Sequence, residues 1–444
     1  MNKSYKTRPG ASDGWWLCVL VPACYAATVW RPYQRAYDQH LPRGYKRTVI
    51  VTFGLLLQSL VIRGTVQSRW NRRQAVLLTL AAVVPLNWGL FLVCLKENVA
   101  FGGVSALLPI ALYDKLYHTV LRTIPKSFSY GEACVVVQGF VAFAYCALLQ
   151  LPLATLLRPD AVYTEMQTIY CILEVSSDVT TVLVALCPIG KLAAITRLVL
   201  FLVADGQTMI TTGMYLALLL LTVSFVMWQF NYGRRTTTAT RKVFHLLIVL
   251  VYGPGLWYQC RLLYLASGLM LAVLIVLEMA RLIQLAPVAS VLNTAVQLFI
   301  DEKDAGAIAL TPIYLLVGCS LPLWLHPAPC DLTNSGGLQM LTLSAGVLSI
   351  GIGDTAASVA GYHFGRHKWH ARTNKSVEGT VASVLLQALA IGTLYHVGLV
   401  QLTVSRAAYA GIAVLVNALV ESRTDQIDNL VLPLITYLIL VSSC

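Results

Sequence analysis

The sequence predicts an all-α fold, a polytopic integral membrane helical bundle with roughly 13 to 16 transmembrane or re-entrant helices. Three observations carry that expectation. Of the 444 residues, 57% are hydrophobic and only 12% charged, with a mean hydropathy of +0.70, whereas soluble domains carry about twice that charged fraction. Apolar runs of roughly 15 to 25 residues recur from Gly14 onward, each long enough to cross a hydrocarbon core of about 30 Å. The runs are continuous, not alternating, which excludes the strands of a membrane β-barrel.

The first run, Trp15 to Trp30, follows a polar, basic opening that holds Lys3, Lys6 and Arg8. No clear small-residue cleavage site follows it, so it is read as a retained helix. From Trp15 to about Leu157 roughly five spans follow one another, separated by basic stretches such as Arg31 to Arg47 and Arg63 to Arg73. Nothing in them looks catalytic. Glu174 and Asp178, on one helical face, mark either a polar cavity at membrane depth or a short interfacial segment, and the surrounding Ser176, Ser177, Thr180 and Thr181 favour the segment. The net charge of +12 is what basic cytosolic loops give a membrane protein, so no nucleic-acid partner is expected. The 11 cysteines are scattered, mostly inside apolar runs and with no C-x-x-C pair, and are read as small hydrophobes rather than as a zinc site or a disulfide framework.

The chain divides into a multi-span region 1–230 of unassigned role and a region 231–444 that holds the polar chemistry. Thr208 to Phe230 is a clean span. The loop after it carries Arg234, Arg235, Arg241 and Lys242, which sets it in the cytosol. Spans at about 243–259 and 262–283, then an amphipathic stretch, return the acidic loop Asp301-Glu302-Lys303-Asp304 to that side. Spans at about 308–326 and 338–352 bracket a lumenal turn rich in Pro, Asn and Gly and bring Asp354 back. Spans at about 381–402 and 407–420 do the same for Glu421 to Asn429, ahead of a last span at about 430–443. By this parity Arg241, Lys242 and His245, the Asp301 loop, the Asp354 to Thr380 stretch and the Glu421 to Asn429 segment share one face of the membrane.

Gly351 to Thr380 is the densest polar stretch. Asp354 is followed by Ser358, Gly361 and Gly365 at spacings that a helix carries on one side, then by Arg366, Lys368, Arg372 and Lys375 and by Glu378-Gly379-Thr380. A bare acid for a cation followed by a cationic loop suits a polyphosphate with its metal. The phosphate loops of soluble nucleotide-binding folds, G-x-x-x-x-G-K-[ST] and G-x-G-x-x-G, are absent.

Gly353-Asp354-Thr355-Ala356-Ala357-Ser358 with Gly361, Gly365 and Lys375-Ser376-Val377-Glu378-Gly379-Thr380 resembles the nucleotide-binding pattern of the CTP-dependent polyprenol kinase family. Arg241-Lys242 with His245, the Asp301 to Asp304 loop, and Glu421, Asp425, Asp428, Asn429 and Pro433 match that family's order. Similar segments occur in phytol kinases, CTP-dependent diacylglycerol kinases and, more distantly, CDP-diacylglycerol synthases. The phytol and diacylglycerol enzymes resemble only the C-terminal portion, so the long N-terminal extension favours the polyprenol kinases. The resemblance implies transfer of a phosphoryl group from CTP, with Mg²⁺ or another divalent cation, to an isoprenoid alcohol such as dolichol, at a site on the cytosolic face of the endoplasmic reticulum membrane. It implies Asp354, Asp428 and Asp304 as catalytic residues and Asp354, Asp301 and Asp428 as metal ligands. Nucleotide contacts fall to Gly361, Gly365, Arg366, Lys368, Lys375, Ser376, Glu378, Gly379, Thr380, Arg241 and Lys242.

Blander readings stand beside these. Gly361-x-x-x-Gly365 is also a helix-packing pattern. Arg366 and Arg372 are also ordinary cytosolic-loop charges. Glu378 suits a helix N-terminus whatever its role, and Glu421 to Asn429 also reads as a solvated turn. The sequon at Asn374 is expected to stay bare on the cytosolic side. His363, His367 and His370 have the spacing of a transition-metal face, or are interfacial histidines beside a phosphate loop. Two rival functions remain. A cytidylyltransferase of the CDP-diacylglycerol synthase type would need an acidic-Gly-His-Gly-Gly ending that is missing after Asp428, and a transporter would use Glu174, Asp178, Asp205 and Glu278 as its pathway.

Overall fold

In a computed structural model the protein is described over residues 5–30, 43–67, 69–150, 201–203, 205–232, 238–286, 288–297, 306–327, 330, 340–370 and 375–443. Glu174, Asp178, Asp301, Asp304, Arg372 and Asn374, and the side chain of Arg241, lie outside the described residues. Apart from an isolated bridge between Lys368 and Ser376, the regular structure is helical. Among the described residues seven helices are long and apolar enough to cross a membrane and five shorter apolar ones accompany them, so the protein is an all-α, multi-pass membrane protein.

The chain forms two compact units. The first comprises Met1–Ile169, Ala305–Ala307 and Asp425–Ile427. Its helices are α1 (Trp15–Val29), α2 (Arg43–Val66), α3 (Arg72–Leu95), α4 (Val99–Thr123) and α5 (Tyr130–Gln150), where the sequence leads one to expect roughly five spans; α2, α3 and α4 have the length and apolarity to cross a membrane and α1 and α5 are shorter apolar helices. Their ends are set locally. Asn71 caps α3 in a reciprocal box with Gln74, Lys96 closes it at a φ of 51°, and Asn98 accepts from the Ala100 amide to start α4. Leu17, Leu55, Ile62, Phe91, Ile110, Tyr113 and Tyr117 fill the core. Ser59 lies 2.7 Å from the Tyr113 hydroxyl and accepts from Gln138 at 3.1 Å, so these three side chains pair polar atoms between the helices where no water reaches.

The second unit comprises Tyr170–Asp304, Ile308–Thr424 and Asp428–Cys444. It holds α6 (Gly206–Tyr232), α7 (Thr238–Tyr258), α8 (Cys260–Leu282), α9 (Val288–Gln297), α10 (Thr311–Leu325) and α11 (Met340–Leu343). A π-helical segment, Val347–Asp354, then leads into α12 (Thr355–Phe364), α13 (Val377–His396), α14 (Val404–Arg423) and α15 (Asp428–Val441). α15 is the inner helix, buried from Leu430 through Tyr437 and packed against α10 and α14. Gly318 permits that approach: a Cβ there would lie 1.9 Å from the Asn429 carbonyl oxygen. Pro433 interrupts α15 one turn in, and Asp428 stands at its first position.

One expectation changes here, and two charges that the rival transporter reading would use find structural partners. Cys260, at the start of α8, is disulfide-bonded to Cys330 in the turn after α10, so the cysteines are not all small hydrophobes. Sequence reading missed the pair because the two are 70 residues apart and share no motif. Asp205 is no pathway charge: it caps α6, accepting from the Thr208 amide at 2.6 Å and its hydroxyl at 2.9 Å. Glu278 pairs with Arg281 at 2.6 Å and accepts from the Ala309 amide at 2.8 Å, which accounts for its buried charge.

Candidate active site at the helix ends of the C-terminal unit

Three of the four polar constellations meet as two linked clusters; the Asp301 loop lies outside the described residues. In the first, Lys242 and His245, one turn apart near the start of α7, both reach Asp354 at the end of the π-helical segment. The Lys242 ammonium donates to Asp354 Oδ2 at 2.5 Å, and His245 Nε2 lies 3.1 Å from the same oxygen. The Ser358 hydroxyl donates to Oδ1 at 3.5 Å. Asp354 is 8% exposed, and a carboxylate so placed must be paired with cations.

In the second cluster Lys375 donates to the carbonyl oxygen of Glu421, and its ammonium lies 3.5 Å from Asp428 Oδ2 and 3.8 Å from Glu421 Oε1. Burial alone would depress the Lys375 pKa. The carboxylates of Asp428 and Glu421, with a further pull from Asp354, outweigh it and hold the ammonium above the ordinary lysine range. That pull of Asp354 on Lys375 links the clusters electrostatically. Lys375 keeps 27% and Asp428 18% of their side chains exposed, so both can meet a ligand.

A short hairpin presents Lys375. α12 ends at Phe364, and the chain returns antiparallel: the Val377 amide donates to the His367 carbonyl at 2.8 Å and the Trp369 amide to the Lys375 carbonyl at 3.1 Å. Ser376 caps α13 by accepting from the Gly379 amide at 3.1 Å. The Trp369 indole donates to the Thr380 hydroxyl at 2.9 Å, and Arg423 stacks over the same ring at 5.6 Å.

The remaining candidates fall elsewhere on this frame. Glu378 faces the hairpin, 2.6 Å from His367 Nδ1 and accepting from the His367 amide. Arg366 and Lys368 are exposed. Gly361 and Gly365 lie against Ser376: a Cβ on them would come within 3.2 and 2.8 Å of its hydroxyl oxygen, so in this structure their open face receives the chain's own hairpin. Since α12 stops at Phe364, His363 and His367 do not share a helical face, and no trio of His, Cys, Asp or Glu fit to hold a metal occurs among the described residues. Glu421, which the sequence placed in the acidic segment without a role, and Trp369, which it did not single out, contribute directly. The Glu421 contact is not a local signal, since it meets Lys375 across 46 residues.

The donor set bears on Mg²⁺. That ion commonly uses one or two carboxylates together with substrate phosphates and water instead of an all-protein cage. Asp354 and Asp428, each beside an ammonium group, fit a cation that arrives with a triphosphate.

The family model described as dolichol kinase matches residues 161–316. Among curated proteins, dolichol kinase of Homo sapiens is 41% identical over 208 residues, 46% of this chain and 38% of that protein. Dolichol kinase EVAN of Arabidopsis thaliana is 34% identical over 210 residues, 45% of this chain and 34% of that protein. Dolichol kinase sec59 of Schizosaccharomyces pombe is 31% identical over 198 residues, 44% and 37% respectively. The match thus spans less than two fifths of each of these relatives. No solved structure matches the chain. Over the matched residues the chain is thus similar to proteins described as dolichol kinases.

Proposed function

We propose that the protein is a dolichol kinase of the endoplasmic reticulum membrane. It would transfer the γ-phosphoryl group of CTP to the terminal hydroxyl of dolichol, giving dolichyl phosphate for protein glycosylation and releasing CDP. Region 231–444 is the catalytic part. The observation that carries the reading is the convergence of Lys242, His245, Asp354, Lys375, Glu421 and Asp428, from the π-helical segment, the hairpin and three helix ends, into one alternating array of cations and carboxylates. Phosphoryl transfer asks the protein chiefly for positioning and charge neutralisation, which such an array supplies.

Lys375 and Lys242 take the phosphate oxygens, with Arg241, Arg366 and Lys368 on the approach. Gly361, Gly365, Ser376, Gly379 and Thr380 shape the turn that carries Lys375, and Glu378 braces it through His367. Asp354 and Asp428, with Asp301 added from the sequence, would hold the divalent cation, which would supply charge neutralisation to the phosphates. Asp428, at the first position of α15, accepts the proton of the attacking hydroxyl, and Asp304 is proposed from the sequence as a further catalytic acid.

The disulfide supports the cytosolic orientation. Cysteines pair in the oxidising lumen, and Cys260 follows α7 at the end opposite Lys242, about 27 Å along an α-helix. With Cys260 and Cys330 lumenal, Lys242 and its partner Asp354 face the cytosol.

Microsomes carrying the protein, incubated with γ-labelled or α-labelled CTP and dolichol, test the reading. Label should reach lipid only from the γ position. Transfer from the α position would make the protein a cytidylyltransferase, and no transfer would leave the transporter reading.

A further inference from the structure

The N-terminal unit has no assigned role, yet it contains the most completely paired ion pair in the described structure. Arg8 and Glu132 are 3% and 0% exposed and form a two-pronged bridge, Nη2 to Oε1 at 2.6 Å and Nε to Oε2 at 3.2 Å. Glu132 begins as an ordinary helix cap. Ser129-x-x-Glu132 is a capping box at the start of α5, with the Glu132 amide donating to Ser129 Oγ at 3.2 Å and the Ser129 amide to Glu132 Oε2 at 2.8 Å. A cap needs no arginine and no complete burial.

The extra partners all lead to Asp425-Gln426-Ile427, the three residues ahead of Asp428. The Ile427 amide donates to Glu132 Oε1 at 2.9 Å, which brings that carboxylate to four hydrogen bonds, its full capacity. Arg8 Nη2 donates to the Asp425 carbonyl at 2.8 Å. Ser12 binds the Asp425 carboxylate through its amide at 2.6 Å and its hydroxyl at 2.9 Å. Ser129 donates to Gln426 Oε1 at 2.5 Å, and Gln426 is fully buried. Both charged contacts grip main-chain atoms, so what they fix is the path of the backbone. Ile427 is joined by its peptide bond to Asp428, the first residue of α15.

We propose that Arg8, Ser12 and Glu132 are positioning residues for the kinase reaction: they clamp Asp425-Gln426-Ile427 and thereby set where Asp428 stands. This gives the N-terminal extension a part in catalysis although none of its residues touches substrate. The inference rests on the role proposed above for Asp428.

The test uses the full chain in nanodiscs with Glu132→Gln, the milder Ser12→Ala, Arg8→Lys, and each of the first two combined with Asp428→Asn. Hydrogen–deuterium exchange, read without CTP, should rise at least about tenfold across residues 425–430 in Glu132→Gln while α5 stays protected. Turnover per folded protein should fall about tenfold or more in Glu132→Gln, since small misplacement of a reacting group is costly. Ser12→Ala should lose severalfold, and Arg8→Lys, which keeps the charge, should retain more activity than Glu132→Gln. In the Asp428→Asn background the same changes should alter turnover by less than about twofold, whereas a merely structural defect would multiply with it. Unchanged exchange at 425–430, or losses that multiply, overturn the proposal. If Glu132→Gln does not accumulate, Ser12→Ala decides by the same two readouts. Absence of phosphoryl transfer in the unaltered chain would sink the kinase reading alone, because the exchange experiment does not depend on it.

Discussion

Two charged centres of this protein, the Arg8–Glu132 pair and the cluster around Lys375, are built on opposite terms. The Arg8–Glu132 pair is closed: both side chains are dry and every site on the carboxylate is occupied by a donor of the chain itself. The Lys375–Asp428 pair is open at the edge, both side chains partly exposed and 3.5 Å apart, beside the tighter Lys242–Asp354 pair at 2.5 Å. A saturated pair can hold backbone in place but has nothing left for a ligand. A looser pair gives up less when its partners are exchanged for phosphate and cation, because the water it still sees has already met part of the desolvation cost. The contrast separates the pair that positions from the pairs that react.

The sharpest way to break this comparison is to neutralise the open centre. Asp354→Asn is expected to abolish phosphoryl transfer, and Asp428→Asn to lower turnover about a hundredfold or more, both beyond any loss of folded protein. Asp425→Asn should cost far less. Rates at equal amounts of folded protein and saturating Mg²⁺ check this, and near-normal turnover in Asp354→Asn would remove it from the metal role. Lys375→Ala should act mainly through the nucleotide, raising the KM for CTP by about tenfold or more with a smaller change in kcat. An unchanged KM would move Lys375 into a purely structural pairing with Glu421.

The closed centre should respond the other way. Glu132→Ala strands a buried guanidinium and is expected to cost about 3–5 kcal/mol of stability, seen as a lower melting temperature. A stable Glu132→Ala protein would show that the pair is not the dry one described. Cys260→Ser removes a cross-link and should cost less, about 2–4 kcal/mol. Non-reducing gels with a thiol-reactive mass tag should report the bond in the unaltered chain, and two additional reactive thiols there would refute the lumenal pairing.

The smallest effect is that of pH. Lys375 is held above its ordinary value, so its pairing is fully present below an unfolded lysine pKa of about 10.4 and is lost only as pH rises through the folded value. For Asp425, burial pushes the pKa up, but hydrogen bonds from Gln426 and Ser12 outweigh it and leave it below the ordinary range. Its contribution is therefore present above about pH 3.9 and lost as pH falls through the folded value. Melting temperatures should thus not change between pH 5 and 9 on account of these two groups. A step in that window that vanished in Lys375→Ala or Asp425→Asn would contradict both signs.

Much of this was legible in the sequence where the signal is local. Spans follow from apolar runs, because a bilayer leaves the backbone no alternative to the helix. Lys242, Asp354, Lys375 and Asp428 stood out as charges beside apolar runs. What stayed hidden depends on distance along the chain. Arg8 reads as one more basic residue near the N-terminus until the fold brings it 417 residues forward to Asp425. Ser129-x-x-Glu132 is readable as a cap, but its third and fourth hydrogen-bond partners are not. Cys260 and Cys330 both fall outside the apolar runs on the side expected to be lumenal, a coincidence that could have suggested their pairing.

The π-helical segment Val347–Asp354 has a consequence for phase. A π turn takes up surplus chain within a helix, so the residues after it keep an angular position that a uniform α-helix of the same sequence would not give them. If the segment tightened to α pitch, each residue taken back would swing Asp354 by about 100° around the axis, away from Lys242 and His245, with no covalent bond changed. Deleting one residue between Val347 and Gly353 should therefore be better tolerated than inserting one, because the deletion lets the helix close up while Asp354 stays on its bearing.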